Sequence, residues 1–502
     1  MRKGLQREED EESCEASLRL IGPLLGSNLM RVTGTTIGAE TGPEVLVELR
    51  RESGGLRGQV ERGLREAIRA RRLEPAVRLP ASRILAADLG VSRRLVSDVY
   101  EQLRDEGWLQ SRPGAGTWVA ADATRYAAGA LAPRPTEPHS ARYDFFPGVP
   151  DLANFPRAAW SRALRDAVRE APDVALSYGD PRGPRELRLE LAAYLRRARA
   201  LHIDPNALVI CSGAMQAISL LARVLVRSGS DRIAVEDPSL GVLTDALRHE
   251  GAQPVPVATD EEGLDVDALS STRASAVIVT PAHQFPTGVP LSAARRARLV
   301  EWATDGRLIL EDDYNAEFRY DRPALGSLQG LAPNRIAHIG TVSKTLAPGL
   351  RLGWLIPPAH LLGHVLEART YADGGPPVID CLALSRMLSS GDYDRHLRAS
   401  RRRYRARRAA LEGAIARELP DCCLTGVPGG LHAPVRLPVV MDAPALVQAA
   451  LDHDIAVYPL SWFQSKRPAS TDTLVLGYGN LSELAIAEGI RRLGQAMSTI
   501  AT

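Results

Sequence analysis

Apolar positions recur with two different periods along this chain of 502 residues. From Leu56 onward, Val60, Leu64, Ala67 and Ile68 are spaced three and four apart, which lays one apolar stripe along a helix. The pattern breaks at Arg78-Leu-Pro80, and a second short helix is predicted over residues 82–89, ended by Gly90. Ser92 then caps a third helix running to about Asp105. Residues 107–119 read as two short strands around a glycine-containing turn, so the segment as a whole predicts a helix-turn-helix with a wing. Farther on, β-rich apolar runs at residues 207–211, 232–235, 274–280, 308–310 and 336–339 alternate with helical stretches. Such alternation predicts parallel strands joined by helical crossovers. No internal repeat is present.

These patterns divide the chain. Residues 1–45 hold an acidic cluster and no sustained periodicity, which predicts a disordered extension. Residues 46–120 form the winged-helix segment, and residues 121–142, rich in Ala, Pro and Thr, form a semi-stiff linker. Residues 143–495 are long enough for a large α/β domain and a smaller C-terminal α+β one. The expected fold class is therefore multidomain α/β.

Composition narrows the function. A 45% hydrophobic and 24% charged balance is that of a soluble globular protein, and no apolar run approaches the roughly eighteen residues of a membrane span. An acidic N-terminus is unlike a signal peptide, so a cytoplasmic location with no membrane partner is expected. Cys14, Cys211, Cys381, Cys422 and Cys423 lack metal-ligand spacing, and no metal site is expected. Within residues 56–120, 12 arginines face 8 acids, a net of +4 in a chain whose total is +2. The excess lies in the segment that would meet phosphates.

Only three of the 62 basic residues are lysines: Lys3, Lys344 and Lys466. A chain that uses arginine for almost every cation has kept an amine at Lys344, and a primary amine can attack a carbonyl where a guanidinium cannot. Its surroundings suit an aldehyde cofactor. Leu308-Ile-Leu-Glu-Asp312-Asp-Tyr314 puts carboxylates and a phenol just after a buried strand, where ligands of open α/β sheets bind. Cys211-Ser-Gly213-Ala214-Met215 joins a strand to a helix through a small-residue turn whose free N–H groups suit a phosphate. Thr341, Ser343 and Arg351 can complete that shell.

Residues 56–119 resemble the winged helix-turn-helix of the GntR family through Arg78-Leu-Pro-Ala-Ser-Arg83, Leu89-Gly-Val-Ser-Arg93 and Arg112-Pro-Gly-Ala-Gly-Thr117. In such a module Arg93 and Arg94, in the first turn of the recognition helix, reach base edges. Arg83, Ser92 and Ser97 are better placed for phosphates, and Arg112 beside Gly114 reaches the minor groove or backbone through the wing. From Tyr143 to about Leu493 the chain resembles fold-type I, aspartate-aminotransferase-like enzymes that use pyridoxal 5′-phosphate. The match runs through Tyr178-Gly-Asp-Pro-Arg-Gly183, Gly213-Ala-Met-Gln216, His283-Gln-Phe-Pro-Thr-Gly288, Asp312-Asp-Tyr314 and Ser343-Lys344.

This resemblance implies Lys344 as the Schiff-base lysine, Asp312 as partner of the pyridine nitrogen and Tyr314 as partner of the ring hydroxyl. Gly213, Ala214, Met215, Thr341, Ser343 and Arg351 would surround the phosphate, with His283 also at the cofactor. Tyr178 would come from the second subunit of a homodimer. A GntR-type winged helix fused to this fold is the architecture of the MocR family of transcriptional regulators. The resemblance implies a double-stranded DNA operator as partner.

Departures from working aminotransferases bear on what the site is for. Phe285 stands where they carry an asparagine against the cofactor hydroxyl, and Leu240 where an aromatic stacks on the ring. Val475 occupies the position of the arginine that grips a substrate α-carboxylate. An amino acid in the usual pose is therefore disfavoured. The expectation is a non-enzymatic regulator sensing the cofactor or a cofactor adduct at Lys344, like MocR-type regulators of vitamin B6 synthesis. A working aminotransferase with a DNA-binding module and a regulator sensing an amino acid remain the alternatives.

Overall fold

The computed structural model describes residues 55–69, 72–112, 116–120, 141–201, 203–304, 306–321, 325–468 and 470–500. The extension expected over residues 1–45 and nearly all of the expected linker lie outside these residues. The chain forms two compact units, divided between Glu137 and Pro138.

In the first unit, α1 (Leu56–Arg69), α2 (Ser82–Leu89) and α3 (Arg93–Asp105) precede a hairpin of β1 (Leu109–Arg112) and β2 (Gly116–Val119). One small core holds them, with Val60, Leu64, Ile68, Leu85, Val96, Val99 and Leu103 all buried. Gly90 ends α2 in the left-handed region, at φ +61°, where a side chain would be strained. The Tyr100 hydroxyl donates to Pro80 O at 2.9 Å and pins α3 to the lead into α2.

The second unit opens with β3 (Tyr143–Asp144), α4 (Arg157–Glu170) and α5 (Arg185–Arg199). Next come β4 (Val209–Cys211), α6 (Ala214–Arg227), β5 (Arg232–Asp237), α7 (Gly241–His249), β6 (Gln253–Asp260) and β7 (Gly263–Leu264). Then follow α8 (Val266–Ser271), β8 (Ala276–Val279), α9 (Ala293–Trp302), β9 (Leu308–Asp313), β10 (Ile336–Thr341) and β11 (Gly353–Ile356). The sheet order is β4-β11-β10-β9-β8-β5-β6-β7, and β6, β5, β8, β9 and β10 run parallel. The non-consecutive strand order brings the carboxyl ends of β4, β5, β9 and β10 to one edge, where a fold of this kind places its ligand.

Helices α10 (Ala359–Asp373), α11 (Val378–Ser389) and the 27-residue α12 (Asp392–Glu418) lead into the C-terminal part. There β12 (Cys423–Leu424), β13 (His432–Asp442) and β15 (Ser470–Gly477) form an antiparallel sheet. Helices α13 (Ala443–Asp452) and α14 (Glu483–Ile500) belong to the same part, and β14 (Ile455–Ala456) pairs in parallel with β3. Fold class agrees with the sequence expectation: a winged helix, then a mainly parallel α/β domain with a small α+β one. Among the described residues no helix is long and apolar enough to cross a membrane.

Candidate cofactor and DNA sites

Strand alternation sorts the three acids at the end of β9. Glu311 and Asp313 point to one face, and both are satisfied there. Glu311 accepts from Leu328 N at 2.8 Å and Gln329 N at 3.0 Å, and Asp313 takes a two-pronged pair from the Arg199 guanidinium at 2.7 and 2.9 Å. Asp312 points to the other face, where its buried Oδ1 has no hydrogen-bond partner. Burial, then the neighbouring Asp313 charge, pushes the Asp312 carboxyl up to about 7, against the opposing pull of Lys344. A buried carboxylate without a donor is what a protonated ring nitrogen would satisfy, so the residues fit the cofactor.

Lys344 lies three residues beyond β10, next to β9 in the sheet. Its Nζ donates to Gly148 O at 2.8 Å, and burial lowers its pKa while Asp312 holds it up. Gly148 sits at φ +84°, and a Cβ there would lie 3.2 Å from Nζ, so this position needs glycine. Burial thus favours the neutral amine, the form that attacks a carbonyl, and the Asp312 carboxylate opposes it.

The residues expected around a phosphate include the start of α6, whose first-turn amides have no partner within the helix. Ala214 and Met215 form that turn, after Gly213 at φ +85°. A Cβ on Gly213 would come within 3.3 Å of the Arg351 guanidinium, which donates to Ser212 O at 2.7 Å. Thr341 and Ser343 join hydroxyls at 2.8 Å. Gln216, which sequence reasoning left without a role, accepts from Ser212 N at 2.7 Å and donates to Asp373 at 2.7 Å, tying the cradle to α10.

Tyr314 is buried, and its hydroxyl donates to His283 O at 3.1 Å while lying 3.4 Å from His283 Nδ1. His283 thus touches Tyr314. Burial, reinforced by Arg408 and Arg319, pushes the His283 imidazole down to about 4, so it is neutral at physiological pH. Two residues missed from sequence close this wall. The His432 ring lies 5.2 Å from that of His283 and 5.1 Å from that of Phe285, and Phe463 lies 5.4 Å from Phe285. Phe285 therefore fills with aromatic carbon the place where the resemblance expects an amide. Val475 is fully buried in β15, and Leu240 is half-exposed at the start of α7. Tyr178 is wholly exposed on this subunit.

In the winged helix, Arg93 and Arg94 are exposed in the first turn of α3, and Arg83 is exposed in the first turn of α2. Ser92 Oγ accepts from Leu95 N at 3.2 Å and caps α3, which leaves its proton for a phosphate. Ser97 is half-buried on α3, Arg112 is exposed at the end of β1, and Gly114 lies outside the described residues. Arg78, part of the matching motif, is instead used in packing, its guanidinium 5.9 Å from the Trp118 ring centre.

Comparison with known proteins gives a family to each of the two units. Residues 56–119 match the gntR family of bacterial regulatory proteins, and residues 148–472 match aminotransferase class I and II. The pyridoxine biosynthesis transcriptional regulator PdxR of Corynebacterium glutamicum is 32% identical over 443 residues, 88% of this chain and 95% of that protein. The probable rhizopine catabolism regulatory protein MocR of Rhizobium meliloti is 30% identical over 459 residues, 87% of this chain and 93% of that one. Among solved structures, LysN, the α-aminoadipate aminotransferase of Thermus thermophilus in complex with N-(5′-phosphopyridoxyl)-L-leucine, is 29% identical. It has a TM-score of 0.64 and covers 71% of this chain and 92% of its own. With a gntR-type winged helix ahead of an aminotransferase class I and II domain whose lysine and carboxylate face each other, this chain belongs to the MocR family of pyridoxal-phosphate-dependent transcriptional regulators.

Proposed function

We propose that the protein is a homodimeric regulator whose DNA binding responds to pyridoxal 5′-phosphate, or an adduct of it, at Lys344, and that it does not turn over amino acids. The observation that carries this reading is Val475, fully buried at the position where the resemblance expects the cation that an α-carboxylate needs. When bound, the cofactor supplies an aldehyde that captures a primary amine and a ring that draws electrons. Lys344 would be its covalent partner, Asp312 would hold the ring nitrogen, and Tyr314, positioned by His283, would meet the hydroxyl. Gly213, Ala214, Met215, Thr341, Ser343 and Arg351 would hold the phosphate. Exposed Val174 and Leu176 beside Tyr178 support a partner there, so that the partner subunit's Tyr178 completes the cradle.

On DNA, Arg93 and Arg94 would read bases, with Arg83, Ser92 and Ser97 on phosphates and Arg112 and Gly114 in the wing. Likeness to PdxR favours genes of vitamin B6 synthesis as targets. Footprinting the ligand-free protein on DNA upstream of its own gene, with pyridoxal phosphate or with a panel of amino acids, tests the reading. Protection is expected to change with pyridoxal phosphate alone; a response only to an amino acid overturns it. Steady turnover of an amino acid with a keto acid would overturn the non-enzymatic part.

A further inference from the structure

From Arg395 to Leu411, helix α12 carries eight arginines and not one aspartate or glutamate. Most are engaged on its inner side. Arg403 and Arg407 reach Asp151 at 3.2 and 2.9 Å, Arg401 donates to Arg319 O at 3.0 Å, and Arg408 pairs with Glu412 at 2.7 Å. Arg395 pairs with Asp392 at 2.6 Å, and Arg405 donates to Tyr320 O at 2.8 Å. Three carboxylates, Asp392, Asp151 and Glu412, therefore answer eight guanidinium groups. Arg398 and Arg402 are exposed and make no hydrogen bond or ion pair among the described residues.

Positions 395, 398, 402 and 405 are all exposed and are spaced three, four and three apart, which puts them on one face. The opposite face, with Tyr393, Ser400, Tyr404, Arg407 and Leu411, is buried and holds the helix rigid. From position 395 to position 405 the helix rises about 15 Å. Over that length a B-form duplex carries about nine phosphates. A guanidinium offers a planar fork to phosphate oxygens, and a row of them without carboxylates repels other cations and attracts a polyanion.

We propose that this face of α12 is a second, sequence-independent DNA contact, at which Arg398 and Arg402, with Arg395 and Arg405 beside them, take backbone phosphates outside the bases read by the winged helix. The inference rests on the reading of the chain as a DNA-binding regulator, and the winged-helix arginines are not part of it.

The test uses the full chain loaded with pyridoxal phosphate and two mixed-sequence duplexes, one just covering a winged-helix footprint and one three times as long. Binding is followed by anisotropy across a salt series. Wild type is expected to bind the long duplex with the steeper salt dependence. The Arg398→Gln, Arg402→Gln double variant should lose about 1.8 from that slope, about 0.9 per phosphate, and leave the short duplex unaffected. Its thermal melt and cofactor absorbance should match wild type, since neither residue touches the core or the cleft. Equal slopes for wild type and variant on the long duplex would overturn the proposal, as would the same loss on both lengths. A gain in affinity for anionic vesicles or an acidic protein, lost in the variant while the DNA slopes stay equal, would assign the face to that partner instead. An Arg93→Ala, Arg94→Ala variant separates the two readings: it should weaken both duplexes. If wild type binds neither duplex, the regulator reading itself fails.

Discussion

The two sides of the Lys344 cleft have different chemistry. On the side where the cofactor is proposed stand a partnerless Asp312 oxygen, a glycine turn against Arg351, and paired hydroxyls of Thr341 and Ser343. On the other side, Val475 is fully buried where the resemblance expects a cation, Phe285 packs against His432 and Phe463, and Leu240 is exposed where the resemblance expects an aromatic. One side can hold the cofactor. The other lacks what an α-amino acid would be held by. A site built to bind and not to exchange substrates fits a sensor better than a catalyst, and the contrast can be attacked from either side.

The largest effect should come from Lys344→Ala. Losing the covalent bond removes the visible absorbance of lysine-bound cofactor, and DNA binding should lose its response to pyridoxal phosphate while the ligand-free protein still binds. Next is Asp312→Asn. Taking one member from a buried charge pair costs about 3–5 kcal/mol, more than a hundredfold in cofactor affinity by equilibrium dialysis.

The same residue sets a pH dependence. A bound, protonated ring keeps Asp312 ionised, whereas the ligand-free carboxyl takes up a proton at about 7. Wild-type affinity should therefore fall as pH drops below about 7, by up to about tenfold per unit. Glu236, also pushed up to about 7 by burial, titrates in the same range, while His283 at about 4 does not. The stability of the ligand-free protein runs the other way. A carboxyl raised above its unfolded value stabilises when protonated, and that contribution is lost as pH rises from the ordinary carboxylate range through about 7. Asp312→Asn should flatten that loss in thermal melts, leaving the part due to Glu236.

Local chemistry was legible in the sequence and long-range contact was not. The Ser92 cap, the Gly90 stop and the β9 acids can be read because a cap, a turn or a strand end depends on neighbours in the chain. The scarcity of lysine marked Lys344 without any geometry. Gly148 went unnoticed because it meets Lys344 across 196 residues, a contact made by topology alone. The same holds for His432, which β13 carries into the aromatic wall, and for Gln216, fixed by α10. Nor does the pattern of residues reveal which of Glu311, Asp312 and Asp313 is left without a donor. That depends on Arg199 and the amides of Leu328 and Gln329, which come from elsewhere in the fold. Antiparallel β11, lying between β4 and β10, was also absent from the predicted strands.

Val475→Arg tries to give the substrate side what it lacks. A charge-assisted pair to a carboxylate is worth about 1.5–3 kcal/mol, so the holo-variant should bind α-amino acids about ten- to a hundredfold more tightly by spectral titration. Without ligand the new guanidinium sits at a fully buried position, and the variant should melt below wild type and recover on adding an amino acid. Unchanged amino-acid binding in a folded variant would mean that Phe285 and His432 close that side regardless of charge.

Leu240→Tyr is the gentlest change. Ser239 N donates to Phe463 O at 2.9 Å, so the backbone before position 240 is already fixed and a new ring would inherit a set direction. A well-placed aromatic pair adds about 0.5–1.5 kcal/mol beyond its area, which is about two- to tenfold. Cofactor release, followed by trapping the free aldehyde, should slow by that factor, while DNA affinity of the ligand-free protein stays the same. The direction matters more than the size. A sensor must let go of its ligand on the time scale at which the ligand's supply changes, whereas an enzyme gains by never losing its cofactor. If the tyrosine variant holds the cofactor longer and its DNA response becomes slower to reverse, leucine at this position is part of how the site senses. If release is unchanged, the uncovered ring face has no bearing on retention, and the contrast between the two sides reduces to Val475 and Phe285.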